Sequence, residues 1–561
     1  MIAAAPSAAS RLAGPGADGQ RGLPLRWALL VALAGGLALA AAFPPAGIWP
    51  LAVVGPALLT VALAGRSLRG SFLAGLVFGV AFFFLMLSWV LNVAWYAWAG
   101  LAGGSAVILA VLAIGQRLLL RLPGWPVAVA GWWVVTEALR DRWPWGGFPW
   151  GRLAMSQADA PTAGWAAVGG APLLTFLVAL AGGTLAWLIL ACLGRLRGAG
   201  AGDRGAVDAG PPPASRRARW PRWPQWPRSA WWPRWLAGPA LATVAAAGLA
   251  AAGAALPVDP VAGSPTAVAA AVQGDVPHAR DLPQLLNDSA VTQNHAQATE
   301  KLAAQVRSGQ RQKPAIVIWP ENSTNLDPFS YPAVYEEVAA AVNAIGRPVL
   351  VGEVLNSPQR NAGQLWLPDR GPTAIYVKRQ LVPFGEVIPD RGLLSHITSL
   401  PSLQPVNFTP GHRTVIFTTG KVRLGDVICY EIGFDGLVRS DVAADANLLA
   451  VQTNDATFEV DGQTGETLQQ LAMARIRAIE SDRAVVVAST IGVSAIVAPS
   501  GQLIAHSGTW QQAVLEARIP LISHRTLADA VGAWPEGIIV ALTAAALVPA
   551  VLHGRKSLRS R

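Results

Sequence analysis

Charge is scarce in this chain: of 561 residues only 14% are Asp, Glu, Lys or Arg, while 52% are hydrophobic. That balance excludes a charged, disordered protein and fits poorly with an ordinary soluble enzyme. Cysteine is nearly absent. Cys192 sits in an apolar run and Cys429 in a more polar region, so no disulfide framework is indicated, and each thiol has to be weighed as a nucleophile. The chain lacks HExxH, CxxC and EF-hand loops, and Gly420-Lys421 is followed by Val422 where a phosphate loop needs Ser or Thr. The seven histidines show no metal-ligand spacing. Metal-dependent and nucleotide-driven reactions are therefore unsupported, and no cofactor is expected.

Long apolar runs are abundant, and they gather at the two ends of the chain. A bilayer crossing takes about 20 apolar residues. Runs of that kind occupy Trp27–Phe43, Ile48–Ala64, Phe72–Trp95, Gly100–Leu120, Pro172–Cys192, Leu236–Leu256 and Ile538–Leu552, with a shorter one at Trp125–Ala138. About eight spans are predicted. Residues 1–25, rich in Ala, Gly, Pro and Ser, read as a disordered cytoplasmic tail rather than a secretory signal.

Short loops rich in Lys and Arg stay cytoplasmic. With a cytoplasmic start, Arg66 and Arg69, Arg117 and Arg121, the arginines from Arg195 to Arg234, and the tail with Arg555, Lys556, Arg559 and Arg561 all fall inside. Arg140, Arg142 and Arg152 fall outside, partly offset by Asp141. The predicted organisation is a tail over 1–25 and a membrane domain over 26–256 with about seven transmembrane helices. An extracytoplasmic domain over 257–530 and a last span with a basic cytoplasmic tail over 531–561 complete it. The net charge of +10 is largely cytoplasmic in this topology. The stretch Arg216–Trp235 in the basic loop near 195–235 interleaves Arg, Trp and Pro. Such a composition suits single-stranded nucleic acid or anionic headgroups; the neighbouring spans favour the headgroups, and no nucleic-acid partner is expected.

Residues 257–530 read as an α/β domain. β-branched runs at Ala315–Trp319, Pro348–Val354, Thr373–Val382, Val422–Cys429, Asn447–Gln452 and Ala484–Ser489 alternate with helical patterns at Tyr335–Ile345 and Thr467–Ser481. A layered sheet covered by helices is predicted. Three of its apolar runs end on chemistry. Ile316–Trp319 runs through Pro320 into Glu321, Ala374–Val377 ends in Lys378, and Asp426–Ile428 delivers Cys429. A carboxylate, an ammonium and a thiol suffice for acyl transfer through a thioester: the carboxylate takes the thiol proton and the ammonium steadies the oxyanion. Each residue also has a plainer reading. Cys429 could be a small buried hydrophobe, Lys378 a solvated strand end, and Glu321 a helix cap.

The order Glu, Lys, Cys in WPEN, YVKRQLVPFGE and GDVICYE resembles the carbon–nitrogen hydrolase (nitrilase) superfamily. The resemblance implies an α-β-β-α sandwich with Glu321 as base, Lys378 as oxyanion stabiliser and Cys429 as nucleophile. Leu381–Glu386 is similar to the second-glutamate motif of that group, Tyr430 and Glu431 to its CYE sequence, and Gln469–Ser481 with Arg483 to its helix after the active-site loop. Glu386, Tyr430 and Glu431 are thereby supporting active-site residues. With the flanking spans, and with Glu137–Arg140 and Gly147–Trp150 matching an outer-loop signature, the chain looks like the apolipoprotein N-acyltransferases. Asn454–Glu459 departs from the usual NDAWFG, and Val387 stands where Tyr often follows PFGE.

That resemblance implies an enzyme of the bacterial cytoplasmic (inner) membrane with its catalytic domain outside. It would take an acyl chain from a phospholipid and pass it to the amino group of the diacylglyceryl-cysteine of an apolipoprotein. A membrane-tethered amidase would use the same three residues with water as acceptor. A lipid-binding scaffold with an inactive domain, or a transporter, is the reading outside catalysis.

Overall fold

The computed structural model describes residues 22–205, 234–256, 263–276, 289–396, 405–459 and 462–559. Most of the predicted tail over 1–25 and most of the Arg/Trp/Pro stretch lie outside those residues. Eight apolar helices are described: α1 (Leu25–Ala42), α2 (Leu51–Leu63), α3 (Leu68–Met86), α4 (Trp95–Leu119), α5 (Trp125–Arg140), α6 (Ala166–Gly205), α7 (Arg234–Ala251) and, after the α/β domain, α12 (Trp534–Arg559). Six are long and apolar enough to cross a membrane. α2, with 13 residues, spans about 20 Å at 1.5 Å per residue, short of a hydrocarbon core about 30 Å thick. α5 has 16 residues and also falls short. The eight apolar runs thus become eight helices without becoming eight full-length spans. α6 continues to Gly205 and α7 begins at Arg234, so both reach into the stretch near 195–235 read from the sequence as a basic loop, whose residues 206–233 lie outside those described.

Small residues let these helices touch. Gly75 and Gly79, one turn apart on α3, lie against Ala106, Ala110 and Ala113 of α4; a Cβ added at Gly79 would come within 2.8 Å of the Ala106 Cα. In lipid the hydrophobic effect offers little drive for helix pairing, so close backbone packing of this kind supplies the cohesion. α6 breaks at Gly169–Gly170, just before Pro172. Gly170 has φ +69°, and a Cβ there would come within 2.8 Å of Glu480 in the α/β domain.

The α/β domain contains two six-stranded mixed sheets. The first has the order β12-β1-β2-β3-β4-β5, from β1 (Thr266–Gln273), β2 (Ile316–Ile318), β3 (Val349–Asn356), β4 (Gln359–Leu367), β5 (Gly371–Val377) and β12 (Ala513–Pro520). The second has the order β11-β10-β9-β8-β7-β6, from β6 (Ile416–Thr419), β7 (Val422–Ile428), β8 (Leu448–Thr453), β9 (Val485–Ser489), β10 (Ala495–Val497) and β11 (Leu503–His506). α8 (Ala290–Arg307) and α9 (Pro332–Ile345) pack Leu302, Val338 and Val342 against Val317, Trp319 and Trp366 of the first sheet. α10 (Asp435–Ala443) and α11 (Gly465–Ser481) cover the second, giving the α-β-β-α sandwich.

Parallel pairing sets the direction of the site. β1, β2 and β3 are parallel, and two antiparallel steps through β4 bring β5 back to the same direction. Glu321 and Lys378 therefore follow strand ends on one edge. β7, β8 and β9 are parallel in the other sheet. The Gln452 amide, at the end of β8, donates to the Trp319 carbonyl at 2.6 Å and joins the C-terminal edges of the two sheets. Ligand sites of open α/β sheets gather at such edges.

Candidate active site

β2 is a fully buried Ile-Val-Ile run, and its chain turns out of the sheet through Pro320 into Glu321. Gly352 on β3 makes room for that turn, since a Cβ there would sit 2.1 Å from the Pro320 carbonyl oxygen. Glu321 is 4% exposed and caps no helix. Its Oε1 accepts from Lys378 Nζ at 2.8 Å and from Asn361 Nδ2 at 2.6 Å, and its Oε2 accepts the Asn454 backbone N–H at 2.9 Å.

Lys378 is no solvated strand end: it is 1% exposed. Its ammonium also reaches Glu386 Oε1 at 3.0 Å, and Asn361 donates to that same oxygen at 2.7 Å. Glu386 Oε2 takes the Val382 N–H at 2.8 Å, fixing the loop that follows Lys378. One ammonium thus lies between two carboxylates, as a paired buried cation requires. Burial works against the charge on Lys378, but Glu321, Glu386 and Cys429 outweigh it and hold the group well above the usual lysine value. Burial, with help from Glu386, pushes the Glu321 carboxyl up, against the pull of Lys378.

β7 ends at Ile428, and Cys429 follows at φ +53° as the first residue of a short 3-10 turn, Cys429–Gly433. A non-glycine residue in that region is strained, and such strain concentrates at functional turns. Cys429 is 7% exposed. Burial and the Glu321 charge raise its thiol well above the ordinary cysteine value, while Lys378 pulls it down. A thiol held that high needs a base before it can attack, and the Glu321 carboxylate acts on the same sulfur.

Glu431 is fully buried and holds the frame. Its Oε1 accepts the Arg379 and Gln380 N–H groups at 2.6 and 2.9 Å, and its Oε2 accepts from the Tyr376 hydroxyl and the Ile428 N–H, both at 2.9 Å. One carboxylate therefore ties the backbone beside Lys378 to the backbone beside Cys429. Tyr430 points away from this cluster. Its hydroxyl donates to the Gly147 carbonyl at 2.6 Å, and its ring stacks on Trp150 at 5.6 Å. It fastens the Cys429 turn to the loop around Gly147–Trp150 of the helical domain, where Glu137 accepts the Leu153 N–H at 2.8 Å and Arg140 donates to the Trp150 carbonyl.

Several partners were missed from the sequence. Asn361 bridges the two acidic members, and its signal was an amide on a buried face of β4. Gln470 donates from Nε2 to Cys429 Sγ at 3.6 Å, hidden in a helix that otherwise reads as core. Arg152 makes a two-point contact with Asp435 at 2.6 and 3.1 Å across the domain boundary, a pairing no local pattern announces. The altered Asn454–Glu459 segment supplies the backbone contact to Glu321. It also rests on the helical domain, with Phe458 edge-on to Trp89 at 5.3 Å.

Residues 35–184 match the family model for the apolipoprotein N-acyltransferase N-terminal domain, and residues 269–529 match that for carbon-nitrogen hydrolase. An apolipoprotein N-acyltransferase of Mycolicibacterium smegmatis is 34% identical over 538 residues, covering 94% of this chain and 85% of that protein. One of Vibrio parahaemolyticus is 24% identical over 540 residues, covering 90% of this chain and 93% of that protein. Among solved structures, an amidase of the nitrilase superfamily from Nesterenkonia covers 45% of this chain and 90% of its own, at 18% identity and a TM-score of 0.34. With sequence similarity running through both the helical and the α/β halves, the chain belongs to the apolipoprotein N-acyltransferase family.

Proposed function

We propose that this protein moves an acyl chain from a phospholipid, through a thioester on Cys429, to the α-amino group of an N-terminal diacylglyceryl-cysteine on an apolipoprotein. The observation that carries the reading is the buried Glu321–Lys378–Glu386 cluster, whose Glu321 and Lys378 act on the sulfur of a strained strand-end cysteine.

Glu321 takes the thiol proton, and the thiolate attacks the ester carbonyl. Negative charge moves onto the carbonyl oxygen, where the Lys378 ammonium stabilises it. Collapse breaks the ester C–O bond, the departing lysophospholipid oxygen receives the proton from Glu321, and the acyl group stays on sulfur. The neutral amine of the acceptor then attacks the thioester and passes a proton to Glu321. The C–S bond breaks, Cys429 regains that proton, and an amide remains. Ping-pong kinetics follow from this sequence. Asn361 and Glu386 hold Lys378 and Glu321 in register, and Glu431 keeps the two strand ends at a fixed separation.

Both substrates are lipid-anchored, so a site beside the bilayer avoids drawing acyl chains into water, at about 0.8 kcal/mol per CH₂. Exclusion of water also protects the thioester. In this reading the domain over 257–530 lies on the extracytoplasmic face of the bacterial cytoplasmic membrane, between the helices of 26–256 and the last span in 531–561. Charge in the short loops supports that orientation.

The test uses the full-length protein in nanodiscs, a phospholipid with a labelled acyl chain and a diacylglyceryl lipopeptide. Label is expected in amide linkage on the lipopeptide, and none with Cys429→Ala. Release of labelled free fatty acid with no lipopeptide product would instead identify a hydrolase.

A further inference from the structure

The sulfur of Cys429 has a second polar neighbourhood that the mechanism above does not use. Gln470, one turn after Glu466 on α11, is 2% exposed, and its Nε2 lies 3.6 Å from Cys429 Sγ and 3.3 Å from Glu466 Oε1. Glu466, also 2% exposed, feels the charge of Asp455. Asp455 is fully buried and accepts from the Thr453 hydroxyl at 3.0 Å. Gln470 and Glu466 thus place buried polar groups of α11 on one side of the sulfur. The other charges acting on the sulfur are Glu321, after β2, and Lys378, after β5.

An amide nitrogen carries two hydrogens. With one N–H directed at Glu466, the second is directed at the sulfur. We propose that Gln470 is a further catalytic residue of this enzyme, whose N–H stabilises the Cys429 thiolate, and that Glu466 is a positioning residue that fixes the Gln470 amide. The proposal rests on the reading of Cys429 as nucleophile. As a carboxylate Glu466 raises the thiol, and burial first, then Asp455, hold the Glu466 carboxyl well above its usual value and so limit that charge. A neutral donor also complements Lys378: the ammonium is shared between two carboxylates and the developing oxyanion, whereas the Gln470 N–H is left for sulfur.

The test reads the thiolate directly, without acyl donor or acceptor. In the full-length Cys192→Ala protein, where Cys429 is the one cysteine, the rate of alkylation by iodoacetamide is followed against pH. Gln470→Met, similar in volume and without a donor, is expected to move the midpoint upward by about one pH unit, a tenfold slower alkylation below the midpoint. Gln470→His restores an N–H and is expected to recover most of the loss, while Glu466→Leu removes the acceptor that orients the amide and is expected to raise the midpoint, where loss of a carboxylate alone would lower it. An unchanged midpoint in Gln470→Met, or Gln470→His as impaired as Gln470→Met, would overturn the proposal. Should Gln470→Met fail to fold, Gln470→Leu, also without a donor or a charge, is read in the same way. If the midpoint shifts as expected but the unsubstituted enzyme transfers no acyl chain, the thiolate contact stands and the proposed function fails.

Discussion

In the helical half, cohesion at this helix pair comes from shape: Gly75 and Gly79 bring the backbone of α3 against Ala106, Ala110 and Ala113. In the α/β half, cohesion comes from apolar strands buried between helices, and polar groups gather where strands end. The seam between the halves follows neither pattern. There Arg152 and Arg477 both grip Asp435, Arg477 also pairs with Glu480 and donates to the Ile432 and Gly433 carbonyls at 3.1 and 3.0 Å, and Tyr430 reaches Gly147. Buried ions add little net stability but are costly to break singly, and they fix one geometry. The Cys429 turn is thus registered against the apolar helices by directional contacts.

Substitutions can separate the three regions, and the largest effect is expected at the site. Lys378→Met removes the ammonium between Glu321 and Glu386, and acyl transfer should fall at least about 10²-fold. The same change leaves two buried carboxylates facing each other, at a cost of about 3–5 kcal/mol, visible as a lower unfolding midpoint in detergent.

At the seam, Asp435→Ala leaves Arg152 and Arg477 without their shared partner. A loss of about 3–5 kcal/mol is expected. Limited proteolysis should show the α/β domain loosened from the helices, whereas a purely local role would leave the cleavage pattern unchanged.

Gly79→Val probes the helical half alone. Overpacking against Ala106 should cost about 1–3 kcal/mol in thermal unfolding, with the alkylation profile of Cys429 unchanged. A shifted profile would mean that the two halves are not separable in this way.

The smallest effect is a displacement along the pH axis. Glu386 raises the carboxyl of Glu321, so Glu386→Gln removes a like charge and makes Glu321 easier to ionise. A base must be ionised to act, so the acidic limb of the acylation rate should lie above the ordinary carboxylate range in the unsubstituted enzyme. It should move to lower pH in Glu386→Gln. Movement to higher pH would contradict this assignment of charges.

What could be read from the sequence follows from how local each signal is. Ile316–Ile318, Val422–Ile428 and Leu448–Thr453 are strands because buried parallel strands need short β-branched runs, and that need is written in consecutive residues. Glu321, Lys378 and Cys429 were legible for the same reason, since each directly ends such a run. Span number was less legible: apolar composition marks a helix but does not set its length, and Leu51–Leu63 stops at 13 residues. Contacts between distant segments left no local trace. Gln470 beneath the sulfur and Arg152 with Asp435 depend on the packing of α11, the second sheet and the loop before Arg152. Glu431 was visible as a motif residue, but that it clamps both strand ends emerges only from four hydrogen bonds to separate segments.

Incubation of the full-length protein with a defined phospholipid and no acceptor, followed by intact-mass analysis and peptide mapping, tests the central claim most directly. The account predicts one acyl group on Cys429, released by hydroxylamine and absent from Cys429→Ala. An unmodified Cys429 under conditions where acyl transfer proceeds, or an acyl group on any other side chain, would contradict it.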